Sequence, residues 1–293
     1  MSATLADACS FLFVPANRPE RYAKALSSGA HAVVVDLEDA VAPRDKPAAR
    51  VALEQAFAAL DAAQRVRLLV RVNAAATPWR ADDVAALRGL AAQGLEGVMI
   101  PKAESAKSLQ DLATVVGPDC KLVPLIESVA GLTAVDEIAA GPQVLRLAFG
   151  NLDFQADAGL ACEPDEAELA PVRLAVVLAS RRADLSAPID GVSPSIEDKV
   201  RLASDAARGR RGGFGAKMCI HPSHVTIVNA AFAPSAAELE WAQRVVAAFE
   251  AAGSGVFSLD GRMVDAPVLR LAQRTLAKSH TVWPVEIREF SQC

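Results

Sequence analysis

Short apolar runs recur along the chain, and most of them stop on a polar residue. Runs at residues 10–14, 31–36, 67–72, 97–100, 122–126, 144–149, 188–190 and 217–220 predict strands. The run Ala32-Val33-Val34-Val35 shows no alternation, which suits a parallel strand covered on both faces. Between the runs, apolar residues fall at helical spacing over 19–28, 47–60, 81–92, 105–116, 132–140, 166–183 and 196–209. Pro19 opens the first of these helices and Gly29 stops it. Strand and helix thus alternate through eight repeats, the pattern of an α/β chain folded as a (β/α)8 TIM barrel. An open doubly wound sheet is the competitor. It gathers its polar strand ends at one switch point, whereas here nearly every strand ends in polar residues.

Pro234 and Ser235 mark a boundary. The pattern beyond it predicts a helix over 236–252, a break at Gly253-Ser254-Gly255, a hairpin over 256–264 turning at Asp260-Gly261, and a last helix to Lys278. The expected organisation is a catalytic barrel over 1–233 and a C-terminal helical and hairpin extension over 234–293. The extension is apolar on one face, so it pads its own barrel or packs on a neighbouring subunit.

Composition narrows the function classes. With 293 residues and 52% apolar content, a large core is available. The net charge of −5 and the absence of a long basic run argue against a nucleic-acid partner. No apolar stretch approaches the length of a membrane span, and residues 1–8 lack the basic start of a signal peptide. Cys9, Cys120, Cys162, Cys219 and Cys293 are scattered without metal-binding spacing, as expected for reduced thiols in a cytoplasmic protein.

Function in a barrel collects at the C-terminal strand ends. In chain order these ends supply Asn17 and Arg18, then Asp36, Glu38 and Asp39, then Arg71 and Asn73, then Lys102, Glu127, Asp153, Asp190 and His221. Glu127 and Asp153 follow consecutive runs, and neighbouring strands lie about 4.8 Å apart. The two carboxylates can therefore reach one hard cation, with Mg²⁺ the best match. The plainer reading makes Glu127 a helix N-terminal acid and Asp153 a loop acid. Lys102 is either a Schiff-base lysine or an ion-pair partner of the surrounding acids. His221, before Pro222, reads as a structural hydrogen-bonding residue.

Several motifs carry a resemblance to a known family. They are Leu12-Phe13-Val14-Pro15-Ala16-Asn17-Arg18-Pro19-Glu20-Arg21, Asp36-Leu37-Glu38-Asp39-Ala40-Val41, Val70-Arg71-Val72-Asn73, Pro101-Lys102-Ala103-Glu104, Ile220-His221-Pro222 and Met263-Val264-Asp265-Ala266-Pro267. In that order they resemble the citrate lyase β-subunit-like proteins of the HpcH/HpaI aldolase superfamily. The resemblance implies a TIM barrel, Mg²⁺ and a CoA or acyl-carrier thioester. It implies cleavage of a β-hydroxyacyl thioester of the citryl, malyl or citramalyl type to a 2-oxoacid and an acetyl thioester. Glu127 and Asp153 would be the metal ligands, and Arg71 would stabilise the thioester enolate. Asn17, Arg18 and Lys24 match the region that holds CoA phosphates, and Asp36 and Lys102 fall among the substrate-binding positions. Asp265 matches an acid that handles protons from a neighbouring subunit, which implies a homotrimer or hexamer. Cys9 stands where relatives usually have Arg, and Ala16 where they have Gly. The rivals are an aldolase on free 2-oxoacids, a malyl-CoA thioesterase and a non-catalytic scaffold barrel.

Overall fold

A computed structural model describes residues 4–252 and 255–279 of the chain. Gly253 and Ser254 of the expected break, and residues 280–293 with Cys293, lie outside the described residues. Eight parallel strands close into a barrel in chain order. They are β1 (Ser10–Pro15), β2 (Ala32–Asp36), β3 (Leu68–Arg71), β4 (Gly97–Ile100), β5 (Lys121–Ile126), β6 (Ala148–Phe149), β7 (Ile189–Asp190) and β8 (Ala216–Cys219). Closure comes from β1, which pairs with β2 on one side and with β8 on the other. Helices follow the strands, so each strand is covered outside by a helix and inside by its opposite neighbours. Val33, Val34 and Val35 are fully buried, as the unalternating run predicts.

Local chemistry sets several helix starts. The Ser105 side chain accepts from the Ser108 amide and caps helix Ala106–Val116. Ser128 likewise accepts from the Gly131 amide at 3.1 Å, and Asp198 accepts from the Arg201 amide at 2.9 Å. The end of the barrel away from the polar strand ends is plugged by Arg146. This residue is fully buried and makes no ion pair among the described residues. Its guanidinium instead donates to the carbonyls of Leu5 at 3.2 Å and Ala8 at 2.7 Å, and to that of Ala187. It also lies 5.4 Å from the Phe11 ring centroid. Burial pushes the Arg146 pKa down to about 10.

The structure differs from the sequence expectation in several places, and it adds a helix, Pro222–Phe232, after β8 that the pattern did not announce. The helix expected over 132–140 is two short helices, Val129–Thr133 and Val135–Ala139. The strand expected over 144–149 has strand geometry only at Ala148–Phe149, with a single bridge from Val144 to Leu122. Backbone bonds from Leu145 to the Leu122 carbonyl and from Ile189 to the Leu147 carbonyl still hold it in the wall. The loop expected after Asp153 is instead helix Asn151–Ala158, which starts directly at the strand end. Gly159, with φ +66°, closes that helix in the left-handed conformation that glycine adopts freely.

The residues divide into two compact units, one running from Thr4 to Phe232 and a second beginning at Ala233. The second unit holds helix Ala236–Ala252, the hairpin β9 (Phe257–Leu259) and β10 (Arg262–Val264), and helix Ala266–Ser279. Ala242, Val245, Val264 and Ala272 form its own apolar cluster. No helix among the described residues is long and apolar enough to cross a membrane.

Candidate active site

The register between β5 and β6 builds the centre of the site. Leu125 pairs with Ala148 and Ile126 with Phe149. The next residues, Glu127 and Gly150, therefore leave the sheet side by side. A Cβ on Gly150 would sit 2.5 Å from Glu127 Oε2 and 2.6 Å from Glu127 Cβ, so only glycine leaves room for the carboxylate. Helix Asn151–Ala158 begins at that point and carries Asp153 in its first turn. Glu127, Gly150, Asn151, Leu152 and Asp153 all line one cavity of roughly 380 Å³, shared with Phe13, Asp36, Arg71 and Met218 among others.

Glu127 is 3% exposed. Its Oε1 accepts the backbone N–H of Lys102 at 2.8 Å. Burial, reinforced by the like charge of Asp153, pushes the Glu127 pKa up to about 7. Two carboxylates held together this way, one of them buried and poorly compensated, favour a cation between them. Among the described residues no group of three or more His, Cys, Asp or Glu side chains is placed to hold a metal. A pair of carboxylates with water and substrate oxygens completing the shell is the arrangement that suits Mg²⁺. The first-turn amides of helix Asn151–Ala158 have no acceptor inside the helix, and the dipole makes this end favourable for an anion.

Arg71, at the end of β3, lines the same cavity. Its Nε and Nη2 each donate to Asp36 at 2.7 Å. Nη1 lies 3.0 Å from Glu38 Oε2, and Nη2 lies 3.5 Å from Asp39. The guanidinium stacks 5.0 Å from the Phe13 ring centroid. Burial opposes the Arg71 charge, but Asp36, Glu38 and Asp39 outweigh it and hold its pKa above the ordinary value. Burial pushes the Glu38 pKa up to about 8 against the pull of Arg71, with Asp39 and Glu127 adding to the rise.

Behind the Asp36–Asp39 loop lies a second layer. The Lys46 ammonium donates to the carbonyls of Leu37 and Glu38 at 2.8 and 2.7 Å and to Asn73 Oδ1 at 2.6 Å. Asn73 in turn donates to Asp83, which Arg50 also holds at 3.0 Å. This lattice fixes the turn that aims Asp36 at Arg71.

The structure thus brings Asp36, Arg71, Glu127 and Asp153 to one cavity. Asp36 has no oxygen left for a ligand. Oδ1 accepts from Arg71 and the Glu38 amide, and Oδ2 accepts from Arg71 and the Ala40 amide. Lys102 contributes its backbone, held at φ +45°, while its side chain is exposed and makes no ion pair among the described residues. Asn17, Arg18 and Lys24 are exposed on the segment after β1, where Arg18 pairs with Glu20 at 2.5 Å. His221 bonds locally to Ser223 Oγ at 2.7 Å. Asp265, in the second unit, accepts from the Val268 amide at 3.1 Å and starts the last helix.

Sequence reasoning missed one group altogether. Asn151 is 1% exposed and donates to Glu166 at 2.8 Å and to the Val192 carbonyl at 3.1 Å, while its Oδ1 accepts from the Val192 amide at 3.0 Å. Glu166 also accepts from Arg173, whose Nε donates to Asp190 at 2.9 Å. Asp190 therefore belongs to this buried network and does not line the cavity. The sequence shows only that Asn151 directly follows Gly150 at a strand end.

A parallel barrel with paired carboxylates and one arginine at its C-terminal mouth defines a class. It is that of (β/α)8 barrel proteins whose polar site is gathered at the C-terminal mouth of the barrel. The family described as HpcH/HpaI aldolase/citrate lyase matches residues 9–222, and the C–C bond lyase of the TIM-barrel fold matches residues 177–282. The chain belongs to the HpcH/HpaI aldolase/citrate lyase family. It is 36% identical over 276 residues to a (3S)-malyl-CoA thioesterase of Cereibacter sphaeroides, covering 93% of this chain and 95% of that one. It is 38% identical over 275 residues to a citrate lyase subunit beta-like protein of Mycobacterium tuberculosis, covering 92% and 94%. The crystal structure of the Mycobacterium tuberculosis protein CitE, in complex with magnesium, acetoacetate and coenzyme A, superposes with a TM-score of 0.81 at 36% identity. That match covers 94% of this chain and 99% of that one.

Proposed function

We propose that the chain is a Mg²⁺-dependent carbon–carbon lyase that cleaves a short β-hydroxyacyl thioester to a 2-oxoacid and an acetyl thioester. The observation that carries this reading is the meeting of Glu127, Asp153 and Arg71 in one cavity. Glu127 and Asp153 would hold the ion, the metal named with coenzyme A in the related CitE structure. Bound there, Mg²⁺ supplies Lewis acidity that lowers the pKa of the substrate hydroxyl. The substrate carboxylate lies against the first-turn amides of helix Asn151–Ala158. The hydroxyl proton passes to solvent water, the C–C bond breaks, and its electron pair passes to the thioester as an enolate. Arg71 stabilises the enolate oxygen, and Asp36 keeps the guanidinium aimed at it. A proton then returns to the enolate carbon. Asp265 of a neighbouring subunit is our candidate for that transfer. Exposed Asn17, Arg18 and Lys24 suit the CoA phosphates, and a homotrimer or hexamer in the cytoplasm would fit this arrangement.

Hydrolysis of the thioester is the second reading, favoured by the malyl-CoA thioesterase relative. One assay separates the two. The protein is incubated with malyl-, citramalyl- and citryl-CoA, with Mg²⁺ or with EDTA, and 2-oxoacid and free thiol are followed separately. Oxoacid release that needs Mg²⁺ and yields no thiol supports the lyase, whereas thiol release moves the reading to a thioesterase. Arg71→Ala is expected to lose on the order of 10²-fold or more in rate, and a value within about threefold of wild type would remove its role.

A further inference from the structure

The end of the barrel opposite the mouth gathers positive charge. Cys9, His31 and Arg67 immediately precede β1, β2 and β3, and the parallel pairing of those strands places them together at this end. Arg67 and Arg146 are both buried here, and neither makes an ion pair among the described residues. Arg67 donates to the carbonyls of Leu26 at 2.8 Å and Ala30 at 2.5 Å, and its Nε lies 3.4 Å from the His31 carbonyl. Arg146 holds the carbonyl of Ala8, the residue before Cys9, and its Nε has no hydrogen-bond partner among the described residues. Buried charges are ordinarily paired with an opposite charge. Two guanidiniums satisfied only by carbonyls leave a positive potential at this end.

Cys9 is half-buried in that potential. Its Sγ lies 3.1 Å from His31 Nδ1 and 3.6 Å from Asn229 Oδ1, and the Asn229 amide nitrogen donates to the Gly29 carbonyl at 2.9 Å. The Cys9 backbone N–H also donates to His31 Nδ1 at 3.2 Å, so this nitrogen carries a lone pair and not a proton. Burial, with Arg67 adding to it, lowers the His31 pKa to about 4. The ring is therefore neutral at neutral pH and able to take a proton. A thiolate at Cys9 is attracted by the Arg146 charge. A half-buried thiol with a proton acceptor in reach and cations around it has the surroundings of a nucleophilic cysteine. The other described thiols do not. Cys120 and Cys219 are buried, and burial pushes both up to about 12. Cys162 is half-buried like Cys9, but burial and then Glu168 and Glu166 raise its pKa.

We propose that Cys9 is a nucleophilic thiol and a site of oxidation by hydroperoxides, with His31 as its proton acceptor and the two buried guanidiniums as the source of its reactivity. Sγ attacks the terminal peroxide oxygen while the thiol proton passes to His31 Nδ1. The O–O bond breaks, the sulfur is oxidised to a sulfenic acid, and the reduced leaving oxygen takes the proton from His31 and departs as water or an alcohol. The site stands apart from the barrel mouth and does not depend on the reaction proposed there.

The test alkylates the native protein with iodoacetamide at neutral pH, quenches over time and follows each thiol by peptide-resolved mass spectrometry. Cys9 is expected to react about tenfold or more faster than Cys162. Cys162 reacting as fast as Cys9 would overturn the proposal. Iodoacetate, an anionic reagent, supplies a second readout that cancels differences in access. Its rate relative to iodoacetamide is expected to be about threefold or more higher at Cys9 than at Cys162, because the guanidiniums attract it. Equal ratios at the two thiols would remove the electrostatic argument. His31→Asn is expected to slow Cys9 about tenfold while leaving Cys162 unchanged, and an unchanged Cys9 rate would remove the role of His31. Should that variant fail to fold, the reagent ratio in the wild-type protein still decides. Hydrogen peroxide followed by a 1,3-diketone trap is expected to label sulfenic acid at Cys9 and not at Cys162. No trapping at Cys9 would overturn the oxidation step.

Discussion

Glu127 shows how one carboxylate acquires its chemistry from surroundings spread along the chain. The Lys102 amide orients it, Gly150 makes room for it, and burial beside Asp153 raises its pKa to about 7. In the metal-free folded chain it holds its proton to higher pH than in the unfolded chain, where the value is the ordinary 4.5. Its stabilising contribution is therefore complete below the ordinary value and is lost as pH rises to about 7, on the order of 3 kcal/mol. Glu38, raised to about 8, extends the loss upward. Metal-free stability measured by urea unfolding should fall across this window, and added Mg²⁺ should restore it increasingly toward neutral pH. Stability that is flat from acid to neutral pH would contradict the raised Glu127. At this scale the sequence was partly legible. Acids at equivalent points of consecutive strand–helix repeats pointed to Glu127 and Asp153. The backbone role of Lys102 left no trace, because φ +45° at a lysine is dictated by the surrounding fold. Asp36 was legible as a strand-end acid, but its four hydrogen bonds commit it to aiming Arg71.

At the scale of elements, the decisive feature is helix Asn151–Ala158, which carries Asp153, the proposed metal ligand, in its first turn. Its placement depends on Asn151, which ties it to the chain after β7 and to the Glu166–Arg173–Asp190 network. A Cβ on Gly191 would stand 2.1 Å from Asn151 Oδ1, so the approach is close. Asn151→Ala removes these bonds without touching either carboxylate. It should lower thermal stability and weaken Mg²⁺ binding about tenfold or more, as outer-shell changes do. Unchanged Mg²⁺ affinity in a variant with lowered stability would make the network purely architectural. The sequence could not reveal this group, since its members come from a strand end, an irregular loop and a later helix. The helix itself escaped notice because it begins with no linker after a strand only two residues long.

At the scale of the whole molecule, the barrel was the most legible feature. The eight strands announce themselves by local hydrophobic pattern, and they close into one barrel in chain order. Irregular stretches such as residues 144–147 were harder, because Arg146 interrupts an apolar run to cap carbonyls at the far end of the barrel. The second unit has its own apolar cluster and was legible as a helix, hairpin and helix. If Asp265 serves a neighbouring subunit's cavity, Arg71→Ala and Asp265→Ala proteins that are each inactive should regain activity when unfolded and refolded together. Mixed oligomers would then contain some intact sites. No recovery, with mixed oligomers verified by mass, would place Asp265 outside that role.

The central claim is that neighbouring strand ends present Glu127 and Asp153 to a single divalent cation. Calorimetric titration of Mg²⁺ into the wild-type protein and into Asp153→Asn tests it most directly. One site per chain is expected in the wild type, with affinity reduced on the order of 10²-fold or lost in a variant that remains folded. Indistinguishable isotherms from the two proteins would contradict the account.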